Sequence, residues 1–336
     1  MVQEEQEDTM TTRANPRTET APMAVIERLV ELACLAPSVH NTQPWRWEYD
    51  GRAITLRADP DRRLVTSDPR GRNLTISCGA ALHHLRFAAQ ALGWEPVVEH
   101  LPPGDETVLA RVFVARTAHH PPLPADIELM RARCTDRRRF TAWPVPEDQL
   151  AALCRIATAW TVDAVAVTDN ADRFRLELLA NQALTALEID PERLEEQESW
   201  IDRPGDEGIP SDLLPDHPDP LHPRGRFRLG VLEDTRLVIH SGDRVIALGA
   251  GSDDVGSWLR VGEALSALWL EATRAGMSVV PMTQPIEVES TRREIGRTLL
   301  AGAFEPLLLV RVGWQVIGRR ALPRTARRPL DEVLSR

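Results

Sequence analysis

Residues 36–45, APSVHNTQPW, gather Ser38, His40, Asn41, Thr42 and Gln43 between two prolines and end on a tryptophan. Short hydrogen-bonding side chains held by rigid flanks present donors and acceptors in fixed directions, which suits a polar planar ligand. The same composition also serves an ordinary rigid loop that caps a helix and satisfies its own backbone. A second group, RARCTDRRRF, crowds Arg131, Arg133, Arg137, Arg138 and Arg139 into an otherwise acidic chain. Guanidinium forks match phosphate oxygens, and like charges this close repel unless an anion or an acidic surface answers them. A solvated basic face is the plainer alternative. Two weaker groups follow. VVPMTQPIE sets Met282, Thr283 and Gln284 between Pro281 and Pro285, where main-chain groups can be offered to a ligand, and Arg324, Arg327 and Arg328 read alone as a basic tail.

Other chemistries leave no trace. No G-x-G-x-x-G follows a strand-like run, and no phosphate loop of Walker type, G-x-S-x-G or H-E-x-x-H occurs. His83 and His84, like His119 and His120, are neighbours in sequence, so their side chains are expected to point in different directions rather than to share a metal. The cysteines, Cys34, Cys78, Cys134 and Cys154, are scattered and read as reduced, mostly buried thiols. A cofactor is therefore expected to supply any demanding chemistry. A formal charge of −10 argues against nucleic acid and anionic membranes as partners. Neither a signal-like apolar segment near the start nor 18 uninterrupted apolar residues later appear, so a cytoplasmic location is expected.

The elements that must position these groups follow from periodicity. Residues 1–22 lack it and are expected to be a disordered tail. Val25, Ile26, Leu29, Val30, Leu32, Ala33 and Leu35 predict a helix ending before Pro37. Asp50-Gly51 between alternating segments predicts a hairpin; a helix from about Leu74 to Leu92 closes at Gly93, and residues 107–115 form a strand. The Pro-rich HHPPLPAD divides the chain into halves at 23–125 and 126–336. In the second half the pattern predicts helices in PVPEDQLAALCRIA, from Asp172 to Leu187, in SWLRVGEALSALWLEATRAG and through Arg293, with strands in VDAVAVT, TRLVIHS, RVIALGAG and PLLLVRVGW. Gly262 and Ala264 would let another helix approach closely. Residues 188–230, rich in Pro, Gly, Asp and Glu, are too long for an ordinary connection and read as either disordered or an inserted lid.

The loop residues Ala36, Pro37, Ser38, Asn41, Gln43, Pro44 and Trp45 match the flavin loop A-P-S-x-x-N-x-Q-P-W of the nitroreductase family, and the chain most resembles its actinobacterial Acg-type branch. Arg133, Thr135 and Arg137 before Phe140 resemble that family's phosphate motif, and Arg327 or Arg328 resembles its last phosphate-binding residue. The segment holding Met282, Thr283 and Gln284 resembles the one whose backbone faces flavin N5. The resemblance, over residues 24–332, implies an α+β fold of α-β-α nitroreductase type, with two tandem halves forming an intrachain pseudo-dimer. It implies FMN as cofactor, with Ser38, His40, Asn41 and Gln43 from one half and the arginines from the other building one site under the lid. NAD(P)H as reductant and a small-molecule electron acceptor follow for an enzyme; the alternative is FMN storage or sequestration. Fusion of two halves implies a monomer or a homodimer.

Overall fold

The computed structural model describes residues 21–116, 122–214, 242–318 and 322–336. Most of the expected disordered tail, part of the Pro-rich connector, the expected strand TRLVIHS and the second part of the 188–230 insertion lie outside the described residues.

The first apolar stripe folds as α1 (Met23–Ala33), and Ala21, placed in the tail by composition, is already buried against its core. β1 (Trp45–Tyr49) and β2 (Ile54–Ala58) form the expected hairpin; the Asp50 carboxylate accepts from the amides of Arg52 and Ala53, both at 2.8 Å, and so fixes its turn. α2 (Arg72–Ala91) ends at Gly93, whose φ of 80° is the left-handed cap conformation. β3 (Trp94–His100) and β4 (Val108–Arg116) complete this region. β3 is an additional strand, not among those expected from the sequence; its Pro96 lacks a donor, which costs little at the edge of the sheet. α3 (Pro124–Ala132) also buries Ile127 and Met130 in this core.

The remaining elements are α4 (Glu147–Thr158), β5 (Asp163–Val167), α5 (Asn170–Glu188), α6 (Pro191–Glu198), β6 (Arg244–Ala250), α7 (Val255–Arg274), β7 (Met277–Met282), α8 (Gln284–Glu287), α9 (Glu289–Thr298), β8 (Glu305–Trp314), α10 (Leu330–Val333) and β9 (Leu334–Ser335). Two sheets result, in the orders β3-β4-β2-β1-β9 and β5-β6-β8-β7. The C-terminal strand, counted by sequence with the second half, pairs in parallel with β1, and Val333 and Leu334 are buried in the first core.

α2 and α7 cross in contact. A Cβ on Gly79 would stand 2.1 Å from the Leu259 carbonyl oxygen, and one on Gly262 would stand 2.1 Å from that of Ile76. Backbone thus meets backbone at a point that admits no side chain on either helix. The close approach expected at Gly262 is present, with α2 as the partner. The cysteines are free, as expected; Cys34 and Cys78 are buried, Cys154 is half-buried and Cys134 is exposed, so burial is less complete than expected. Among the described residues no helix is long and apolar enough to cross a membrane.

Candidate functional site

The loop of residues 36–45 leaves α1 and bends through three left-handed non-glycine residues, His40 (φ 46°), Asn41 (φ 56°) and Gln43 (φ 49°). Such a conformation is costly and persists only where surrounding bonds over-determine it. They do so here. The Gln43 amide donates to Ser38 Oγ (3.0 Å), the Val39 amide donates to Ser77 Oγ of α2 (3.1 Å), and Arg62 Nε donates to the Thr42 carbonyl (2.6 Å). His40, Asn41, Thr42 and Gln43 are all buried.

Two arginines distant in sequence meet this loop. Arg133, 5 % exposed, follows α3, lies over the Trp269 ring at 4.7 Å and donates through Nη2 to the Leu35 carbonyl (3.2 Å). Among the described residues its buried Nε and Nη1 have no hydrogen-bond partner. Arg327 donates to the carbonyls of Cys34 (2.7 Å) and Leu35 (3.3 Å) and to Asn41 Oδ1 (3.1 Å). Among the described residues neither arginine has a carboxylate partner. Burial, and then the charges of Arg327 and Arg324, push the Arg133 guanidinium down to about 9; burial first, with Arg324 adding to it, takes Arg327 down to about 10. Arg327 as a whole is half-buried, with Nε and Nη2 of its guanidinium on the carbonyls of Cys34, Leu35 and Ala36. Both stay charged at neutral pH, so the shifts mark cations held out of water without a counter-charge. That is the chemistry of an anion site.

The rest of the arginine run is spent otherwise. Arg138 is locked bidentately on Asp136 (2.9 and 2.7 Å), and Arg131 pairs with Glu128. Thr135 and Arg137 lie half-buried just beyond Arg133. Arg328, the neighbour of Arg327, donates its amide to Gln43 Oε1 (2.9 Å) and turns its side chain to Glu332 (3.4 Å). Met282 packs beside Ile286 and Leu309, and Thr283 and Gln284 open α8. α8 abuts the start of α2, where Asn73 Nδ2 donates to Glu287 Oε1 (3.0 Å); the same helix, one turn on, holds the 36–45 loop through Ser77.

The described part of the insertion docks on that loop. α6 opens at Pro191, with Asp190 as its cap, and its Glu196 accepts from the amides of Thr66 and Ser67 (3.0 and 2.8 Å). Beyond α6, the carbonyl of Gly208 accepts from Asn41 Nδ2 (3.0 Å) and that of Asp206 from Gln43 Nε2 (2.7 Å), while Glu207 pairs with Arg62 and Arg203. The side chains of Asn41 and Gln43, expected from resemblance to serve a ligand, therefore donate to carbonyls of the insertion, Asn41 also to that of Ala326 (3.2 Å), and Ser38 Oγ is held by its own loop. Ser77, Arg62, Trp269 and Glu196 were not singled out from sequence; nothing local distinguishes them.

No protein-family model matches the sequence. A Mycobacterium tuberculosis protein provisionally named as an NAD(P)H nitroreductase, Rv3131, is 36% identical over 320 residues, covering 92% of this chain and 90% of the relative. The chain belongs to the nitroreductase family. The M. tuberculosis protein acg, provisionally named in the same way, is also 36% identical, over 325 residues that cover 92% of this chain and 95% of the relative, so this nitroreductase-family chain stands with the Acg-type branch. Among solved structures, a nitroreductase with bound FMN from Bacteroides fragilis aligns over 60% of this chain and 94% of its own, at 12% identity and a TM-score of 0.39.

Proposed function

We propose that this nitroreductase-family chain binds FMN and works as an NAD(P)H-dependent oxidoreductase on a small-molecule acceptor. The observation that carries the reading is Arg133, a buried cation with two unpartnered donors beside a second unpaired cation, Arg327. The residues fit the group: a phosphate answers both charges and takes the free Nε and Nη1 donors of Arg133. Arg133 and Arg327 would hold the phosphate. Residues 38–43 and 282–284, tied to the same helix α2, would bracket the ring. Bound there, FMN supplies hydride transfer between nicotinamide and acceptor. The chain's own part is to neutralise the phosphate, hold the strained loop in register through Ser77 and Arg62, and keep water out.

The two sheets, each with a long helix at the Gly79–Gly262 crossing, support a reading as two fused nitroreductase-like halves that share one site. With loop and arginines on one chain, the reading suits a monomer as well as a homodimer. The names of the M. tuberculosis relatives support NAD(P)H as reductant.

A second reading, FMN storage or sequestration, is favoured by the anchoring of the insertion. Asp206 and Gly208 bond directly to the loop that would face the flavin, as a lid that restricts access would do. Visible absorbance of the purified protein during anaerobic addition of NADPH and then NADH separates the two. A flavin band that bleaches promptly marks the oxidoreductase; one that persists until dithionite is added marks sequestration. Absence of the band together with failure to take up FMN would overturn both.

A further inference from the structure

We propose a second ligand site, for a small planar aromatic acid, in a cavity that shares no lining residue with the loop of residues 36–45. Its volume of about 460 Å³ lies within the roughly 300–1,000 Å³ range of small-molecule sites. One wall is aromatic: Trp160 carries the Arg86 guanidinium 4.5 Å from its ring and meets the His83 ring edge-on at 4.8 Å.

The polar groups are biased toward donors. Glu263, 1 % exposed, is the one carboxylate among the lining residues, and both its oxygens are taken, by Arg86 Nη1 (2.6 Å) and by His100 Nε2 (2.9 Å). Arg260, exposed on α7, has no carboxylate partner among the described residues. The tautomer of His83 follows from its neighbours. Contrary to expectation, His83 and His84 converge, each with Nδ1 2.7 Å from Ser266 Oγ. His84 Nδ1 is also 3.1 Å from the Ala80 carbonyl, which only accepts, so His84 Nδ1 carries its proton and Ser266 Oγ accepts from it. The single hydroxyl proton of Ser266 then goes to His83 Nδ1. His83, a lining residue of the cavity, is left with its proton on Nε2.

An aromatic wall, an unpaired guanidinium and an imidazole N–H, with no free carboxylate to repel an anion, match a flat ring bearing one carboxylate. A flavin phosphate is served less well, because Arg86 is already neutralised by Glu263.

The test is isothermal titration of naphthalene-2-carboxylate into FMN-saturated protein, with Arg260→Ala and Trp160→Leu as variants and the flavin band as the check on folding. Saturable binding at one site per chain, weakened about tenfold or more by each variant while the flavin band is unchanged, is expected; naphthalene-2-carboxamide, which lacks the charge, should bind correspondingly less. Absence of saturable binding, or binding that neither variant alters, overturns the proposal. Because the flavin band is read separately, failure here leaves the flavin reading untouched.

Discussion

Arg133 and Arg327 donate to the same oxygen: Nη2 of each reaches the Leu35 carbonyl, at 3.2 and 3.3 Å. Two guanidinium groups that share one acceptor and, among the described residues, have no carboxylate partner destabilise the FMN-free protein, since each is desolvated without a counter-charge there. Arg133→Met is therefore expected to leave the FMN-free protein at least as resistant to heat as the parent. FMN should raise the melting temperature of the parent markedly and of the variant little, because ligand stabilisation follows affinity. Melting curves with and without FMN check both signs. A variant that is less stable without FMN and equally stabilised by it would make Arg133 a structural residue.

Gly79→Ala probes the α2–α7 crossing. The new methyl group would stand 2.1 Å from the Leu259 carbonyl oxygen and 3.0 Å from the Gly262 Cα, both backbone, so the helices must separate. Overpacking of this kind costs about 1–3 kcal/mol or more. Urea unfolding should move accordingly; an unchanged midpoint would mean that the crossing is looser than described.

Gly208 fastens the insertion. Its φ is 76°, and a Cβ there would meet the Trp200 carbonyl oxygen at 2.7 Å. Gly208→Val should displace the carbonyl that holds Asn41 and loosen the insertion from the loop. If the insertion gates a competent centre, NAD(P)H oxidation should rise by about tenfold, the equivalent of roughly 1.4 kcal/mol. A rate that does not rise above the parent's while FMN remains bound favours sequestration.

Asp253 ties α2, α7 and α9 together, accepting from Arg72 Nη2 (3.0 Å), Trp258 Nε1 (2.7 Å) and Arg292 Nη1 (2.8 Å). Burial acts to raise its pKa, but the Trp258 N–H and the Arg72 and Arg70 guanidinium groups outweigh it and hold the carboxyl well below its usual range. A depressed carboxylate stabilises the fold above its unfolded value, about 3.9, and the contribution is lost as pH falls through the folded value. Asp253→Asn should cost about 2–3 kcal/mol at pH 7, after allowance for partial exposure. The gap between the two proteins should narrow as pH falls below about 4. Urea unfolding at pH 7 and pH 3 decides; an equal gap at both would remove charge from the explanation.

Local signals were legible. The hairpin at Asp50-Gly51, the helix ends at Gly93 and Gly276 with φ of 80° and 79°, and the dense polar loop before Trp45 each follow from a few adjacent residues. What escaped depends on contacts between distant segments. Arg133 and Arg138 look alike in sequence, and only the position of Asp136 spends one and leaves the other. Arg327 and Arg328 were left as alternatives, because nothing in a basic tail says which side chain meets the carbonyls of residues 34–36 and which turns to Glu332. The return of Leu334 to the first sheet and the docking of Asp206 and Gly208 on the loop have no local periodicity to announce them.

Whether Arg133 and Arg327 form the phosphate seat of an FMN site is tested by equilibrium titration of FMN into the apoprotein, followed by quenching of flavin fluorescence, in the parent and in Arg133→Met. Charge-assisted hydrogen bonds of about 1.5–3 kcal/mol each predict a loss of affinity between roughly tenfold and more than a hundredfold in the variant. The same FMN affinity in both proteins would contradict the assignment.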